Sequence, residues 1–230
     1  LVSITPERTD MLNVLLKIYE HTGDKQKSLE TLDRLEMQDG QSSATTMAKI
    51  HIYDSMGEEK KALDELRALA DSHPLELDYR TILGNCLFGK GRYKEAQKEY
   101  SAVLAEDPDN ESAMISMIDY YQHEGQDSLA RDLHNRILSS PKTQTETKAF
   151  MLRQAIRASE QSNGDTTEIL AKFDLALQHK QTTTDLLDLK LAYMDLKKMS
   201  EQKQIEVLNQ IIEVDPANMA ARNKLIYIIS

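Results

Sequence analysis

The stretch LDYRTILGNCLFGKGRYKEAQKEYSAVLAEDPDN, residues 77–110, decides how the whole chain is read. Leu83-Gly84, Leu87, Gly91, Ala96, Tyr100 and Pro108 mark out two helices and the turn between them. A step of 34 residues in either direction finds the same marks again: Gly23, Gly57, Gly91 and Gly125 are each 34 apart. Ser28, Ala62, Ala96 and Ala130 keep the same spacing, five residues later in each copy. Two small-residue series with one period identify a repeat array, in which each repeat buries its apolar face by stacking on its neighbours.

Outward from that stretch, residues 9–42 form a repeat in which Leu12, Leu15, Leu16 and Tyr19 recur at steps of three and four, one helical stripe. Ser28, Leu32 and Leu35 line its second helix. The glycine between them suits a left-handed turn, which costs other residues about 1–2 kcal/mol. In 43–76 the marks are Ile50, Tyr53, Ala62, Leu66 and Leu69, closed by Pro74, which cannot continue a helix interior. Residues 111–144 run through Met114, Met117, Ile118 and Tyr121, turn at Gly125, and continue past Ala130, His134 and Ile137 to Pro141. The polar run PKTQTETK then reads as a lengthened connection.

Beyond it the register slips, because Gly164 lies 39 residues after Gly125. In 145–182, Phe150, Leu152, Ala155 and Ile156 make a stripe before that glycine and Ile169, Phe173 and Ala176 one after it. Residues 178–184 read as a loop. In 183–218, Leu186, Leu189 and Tyr193 lead the first helix, residues 197–199 replace the glycine turn, and Leu208, Ile211 and Pro216 return to phase with Pro108. Residues 219–230 make a half repeat. The sequence thus predicts one all-α domain over 1–230, with six helix pairs and half of a seventh. Pro6 falls at the Pro108 position of an earlier repeat, with Leu1-Val2 ending a second helix before it. The chain is expected to be an excerpt of a longer protein.

Hydrophobic residues at 40% and charged residues at 29% suit helices with one buried and one wet face. Asp and Glu number 38 against 28 Lys and Arg, a formal charge of −10, and no basic run is present. This excludes the basic face that phosphate neutralisation demands, so no nucleic-acid partner is read. The acid excess reads as a solvated surface. The single cysteine, Cys86, rules out an internal disulfide, and no apolar run approaches the roughly 20 residues of a membrane span.

Gly84-Asn-Cys-Leu-Phe-Gly89-Lys90 spells G-x4-G-K, but a phosphate loop also needs Ser or Thr next and a strand before. Gly91 follows instead, and the preceding segment reads as helix. His51 and Asp54 make at best a two-ligand set, weak for zinc. No nucleophile elbow, HExxH motif or calcium loop appears. No catalytic residue, metal site or cofactor is therefore read from the chain. With no tryptophan, and with Tyr19, Tyr53, Tyr121 and Tyr193 assigned to the core, aromatic platforms for glycans are not expected either.

The pattern resembles the tetratricopeptide repeat family, with its W-x2-L-G-x2-Y, A-x3-F and closing proline. Leu83-Gly84 and Leu87 stand at L-G-x2-Y, Ala96 and Tyr100 at A-x3-F, and Pro108 at the proline. Tyr19, Tyr53 and Tyr121 supply the tyrosine elsewhere. The leading tryptophan is absent, with Thr46 or Arg80 in its place, and Arg157 falls where Gly or Ala is usual. The resemblance implies a right-handed superhelical solenoid of antiparallel helix pairs, and its multi-repeat character looks like exported or envelope-associated bacterial repeat proteins. It further implies a protein–protein interaction scaffold that takes protein or peptide partners along a concave groove lined by first helices. The groove positions are then Asn13, Lys17, Met47, His51, Thr81, Asn85, Ile115, Asp119 and Gln154. Only Asn85 matches the family's carboxylate clamp. The alternative is a regulatory or substrate-docking segment of an enzyme whose catalytic domain lies elsewhere. The apolar last helix, with Leu225, Ile226, Tyr227, Ile228 and Ile229, is expected to self-pair.

Overall fold

The computed structural model describes residues 9–162 and 164–230. The assignments of Leu1-Val2 and Pro6 lie outside the described residues. Thirteen helices and no strand are present among the described residues: α1 Thr9–Thr22, α2 Lys25–Asp39, α3 Ser43–Ser55, α4 Glu59–Ser72, α5 Leu77–Gly89, α6 Tyr93–Glu106, α7 Glu111–His123, α8 Asp127–Ser139, α9 Thr145–Ser162, α10 Thr166–Leu177, α11 Asp185–Leu196, α12 Glu201–Val214 and α13 Met219–Ile229. The fold is all-α, built of helix pairs. The polar run after Pro141 is only half connection, since α9 already begins at Thr145. The chain divides into two compact units at residues 120 and 121, inside α7.

The turns between paired helices share one hydrogen-bond pattern. Asp24, Glu58, Arg92, Gln126 and Met199 each donate a backbone N–H to the carbonyl five residues back, on Tyr19, Tyr53, Leu87, Tyr121 and Met194. That bond closes a helix end only if the residue before the donor is left-handed. Gly23, Gly57, Gly91 and Gly125 have φ of 72°, 74°, 75° and 68°, and Lys198 takes the same role at 49°. Gly164 does not. Its own N–H makes the bond, to Ser159 at 2.8 Å, so it stands one place later than the other turn glycines. The register of the fifth repeat therefore moves by one. Ile156 takes the offset of Leu16, Ile50, Gly84 and Ile118, and Arg157 is exposed instead of packing at a small-residue position.

In the first compact unit, α1 packs on α2, α3 on α4 and α5 on α6, while α2 meets α3 and α4 meets α5. Ser28, Ala62 and Ala96 are all within 2% of full burial, as close helix approach requires. The approach is tightest in the third pair. A Cβ built on Gly84 would lie 2.8 Å from Tyr100 Cδ1 and closer still to Cε1. Sister repeats solve the same contact differently, with Leu16 or Ile50 at the glycine offset and Leu32 or Leu66 at the tyrosine offset. Tyr19 and Tyr53 are only half-buried, and Tyr121 is likewise; of the four tyrosines assigned to the core, only Tyr193 is buried. Lys27 and Lys61, also 34 apart, place ammonium groups 5.5 and 5.8 Å from the Tyr19 and Tyr53 ring centres.

In the second compact unit, α8 packs on α9 and α10, α9 on α10 and α11, and α12 on α11 and α13. Leu152, Phe173, Ile137 and Leu138 are fully buried, but Phe150 is 49% exposed and not part of the stripe assigned to it. Leu187, Met194, Val207, Leu208, Ile211 and Ala221 form a cluster completed by Leu225 and Ile228. The other face of α13 leaves Ile226, Tyr227 and Ile229 at least 60% exposed. Connectors reuse one solution: Asp107-Pro108-Asp109-Asn110 and Asp215-Pro216-Ala217-Asn218 each end a helix and start the next. Asn110 and Asn218 side chains accept from the N–H three residues on, both at 3.0 Å, a standard helix N-cap.

Alanine is a better helix former than glycine by about 1 kcal/mol, but Gly84→Ala has to displace the buried Tyr100 ring. It is expected to lower stability by about 1–3 kcal/mol. In a Tyr100→Leu background the same change is expected to cost nothing, and a urea-denaturation double-mutant cycle reads the difference. Equal costs in both backgrounds would show that the ring does not set the crossing.

Candidate functional site

Two rows of first-helix positions recur with the repeat, Asn13, Met47, Thr81 and Ile115, and Lys17, His51, Asn85 and Asp119. The rows are four residues apart, so they share one helical face. Asn13, Lys17, Met47, His51, Asn85 and Asp119 are exposed, and Ile115 is half-buried. Thr81 is not part of this face. It is 3% exposed and its hydroxyl donates to Leu77 O at 3.4 Å, so a ligand cannot reach it. Gln154 is exposed but out of register, because the fifth-repeat turn puts Arg153 and Arg157 at the offsets of Thr81 and Asn85.

Asn85 is tied to the core beneath it. Its Oδ1 accepts the Tyr100 hydroxyl at 2.8 Å. Burial pushes that hydroxyl up to about 12, against the hydrogen bond of Ser116, itself 8% exposed. Asp119 follows Ser116 by one turn. It is exposed as a residue, yet burial around its carboxyl raises its pKa above the ordinary carboxylate range.

Sequence reasoning missed the most highly charged cluster of this compact unit. Lys49 is 3% exposed and sits at the offset of Leu15, Leu83 and Met117, a core slot. Its Nζ lies 2.6 Å from Asp33, 2.5 Å from Glu36 and 3.5 Å from Glu65. Burial works to lower its pKa, but the carboxylates outweigh that and hold it above the ordinary lysine value. Burial in turn raises Glu65. A lysine at an otherwise aliphatic offset was the available signal. Its partners come from α2 and α4, which no single-helix periodicity reveals.

The tetratricopeptide repeat family model matches residues 48–111, which span α4, α5 and α6 with most of α3. The matched segment carries tetratricopeptide repeats. A tetratricopeptide repeat protein from Parabacteroides merdae matches over 100% of this chain and 87% of its own, at 13% identity and a TM-score of 0.50. The C-terminal part of a repeat-containing protein from Cytophaga hutchinsonii matches over 95% and 88%, also at 13% identity and 0.50. At that identity the likeness shows the fold alone. No curated protein matches the chain. A tetratricopeptide repeat fold implies a protein–protein interaction scaffold.

The features that mimic other chemistry are absorbed by the repeats. Gly84 to Gly89 lie within α5, and Lys90 Nζ binds Asp54 Oδ1 at 2.8 Å, which also takes Asp54 from His51. Burial raises the Cys86 thiol, the opposite of an activated nucleophile. Among the described residues, no group of three or more metal-binding side chains is present, and no helix is long and apolar enough to cross a membrane.

One histidine is a packing residue with an electrostatic consequence. His134 holds the second-helix offset of Leu32, Leu66 and Tyr100. Its Nε2 is buried with no hydrogen-bond partner. Burial, helped by Lys172 and opposed by Glu168, pushes its pKa from 6.5 down to about 4. Between those values the unfolded chain binds a proton that the folded chain refuses, so stability falls as pH drops through that window. His134→Leu is expected to reduce that fall by on the order of 2 kcal/mol in urea denaturation at about pH 7 and pH 4.5. Identical falls in both proteins would show that the imidazole is not held neutral.

Proposed function

We propose that the chain is a protein-binding scaffold in which a partner segment lies along the first-helix face, and that its two compact units belong to one repeat array. One observation carries this reading. Lys17, His51, Asn85 and Asp119 keep a common offset, yet packing leaves all four exposed. The offsets of Ser28, Ala62 and Ala96 are spent on core contacts. Met47, 49% exposed, offers a soft apolar contact to a partner side chain. Asn85 supports an extended peptide, since its amide nitrogen can donate to a peptide carbonyl while its oxygen holds Tyr100.

Met47→Glu combined with Asn85→Ala is expected to weaken capture of a protein partner about tenfold or more, as loss of a central contact does. Lys98→Ala, on the exposed side of α6, is the control. Capture lost with Lys98→Ala and kept with the first variant would move the binding surface to the second helices. Circular dichroism melts separate loss of binding from loss of fold, which matters because Asn85 also serves Tyr100.

We further propose self-association through α13. Ile226 is 60% exposed, whereas Ile118, 108 residues earlier at the same repeat offset, is 6% exposed. A second copy supplies a matching apolar helix. Light scattering of the chain at high micromolar concentration is expected to give a dimer mass that Ile226→Lys returns to the monomer. A monomer mass for the unchanged chain would end this reading.

A further inference from the structure

The row Lys17, His51, Asn85 and Asp119 changes sign along its length, from a lysine on α1 to a carboxylate on α7. Many charges nearby are already satisfied. Lys90 holds Asp54, Arg80 holds Glu99 at 3.1 Å, and Lys49 holds its three carboxylates. Neither Lys17 nor Asp119 has an ion-pair partner among the described residues, although both are exposed. The two ends of the row are therefore open charges of opposite sign, held on rigid helices at fixed repeat steps.

The middle of the row is polar and anchored. The Asn85 carbonyl is fixed by Tyr100, which leaves the amide nitrogen to donate outward. Lys90, at the end of α5, reaches Asp54 on α3, so the first helices of the second and third repeats come within side-chain reach at that end.

We propose that this row selects an extended peptide by charge order, its basic side chain meeting Asp119 and its acidic side chain meeting Lys17 and His51. The inference rests on the first-helix face being the binding face, and it adds the class and direction of the ligand. The carboxyl of Asp119 is partly withdrawn from water and lacks a cation, so an incoming ammonium or guanidinium restores what burial removed. The net charge of −10 attracts any basic peptide. The row differs in requiring the basic group at one end and an acidic group at the other.

The test uses the whole chain and an array of random peptides of about ten residues, with fluorescence anisotropy on the peptides retained. Retained peptides are expected to carry separated acidic and basic residues in one preferred order. Asp119→Asn is expected to weaken them about fivefold, and Asp119→Lys to turn the preference at that end to acidic. Asp132→Asn, an exposed carboxylate on α8, is the control for general attraction. An equal loss with Asp132→Asn would overturn the proposal. Peptides that bind without charge order but are lost with Met47→Glu would overturn it and leave the scaffold reading standing. Retention of no peptide at all would overturn the proposal and the peptide-binding face together. Should Asp119→Lys fail to fold, Asp119→Asn against Asp132→Asn still decides.

Discussion

The fold depends on how closely the two helices of a pair can approach. Ser28, Ala62 and Ala96 set that distance from the second helix, and in the third pair Gly84 sets it from the first, against the face of Tyr100. Close-packed interiors transmit such constraints. The side chains of a first helix that face its partner are committed, and the opposite face is free to carry anything soluble. The exposed row is the remainder of that commitment, which is why it keeps the period of the core without sharing its chemistry.

The architecture was legible because turns and crossings constrain residue size, and size shows in sequence. Gly23, Gly57, Gly91 and Gly125 announce left-handed turns, and the alanine series announces the crossings. A glycine is a weaker mark of a turn than the hydrogen bond it serves. Gly164 follows its turn position by one residue, and that displaced Arg157 and Gln154 from their assigned roles. Phe150 faces outward although aromatic, since helical position and not residue type decides which side chains reach the core. At the candidate face, exposure of Lys17, His51, Asn85 and Asp119 agrees with their offset. The burial of Thr81 was not visible, because a threonine that back-bonds to its own helix satisfies its hydroxyl without water. The bond from Tyr100 to Asn85 joins residues on two helices and has no signature in either alone.

Surface charge also follows the repeat, with reversals. Asp24 and Lys27 pair at 3.0 Å, Glu58 and Lys61 at 3.3 Å, and Arg92 and Glu95 at 2.7 Å, all at the same two offsets. The third pair keeps the geometry and exchanges the signs. Exposed pairs of this kind contribute only about 0.2–1 kcal/mol. Their position over the turn is conserved within the chain while their polarity is free, so local geometry and not the sign of either residue is what the turn requires. Lys197 with Glu160 and Lys224 with Asp195 add contacts between successive repeats in the second compact unit.

Repeat arrays are often treated as modular, with repeats gained, lost or shuffled by recombination of their coding segments. Lys49 makes residues 9–76 an exception. Of its three carboxylates, Glu65 belongs to the same repeat, at 3.5 Å, whereas the two nearer ones, Asp33 and Glu36, come from the repeat before. Excising residues 9–42 would strand the ammonium without Asp33 and Glu36, and excising 43–76 would strand those carboxylates against Leu83. A buried ion left without its partner costs several kcal/mol. The ion pairs between later repeats, Lys90 with Asp54, Lys197 with Glu160 and Lys224 with Asp195, leave both partners partly exposed to water and are less demanding. Variation in repeat number is therefore expected to enter this chain away from its first two repeats, whose order is fixed by charge.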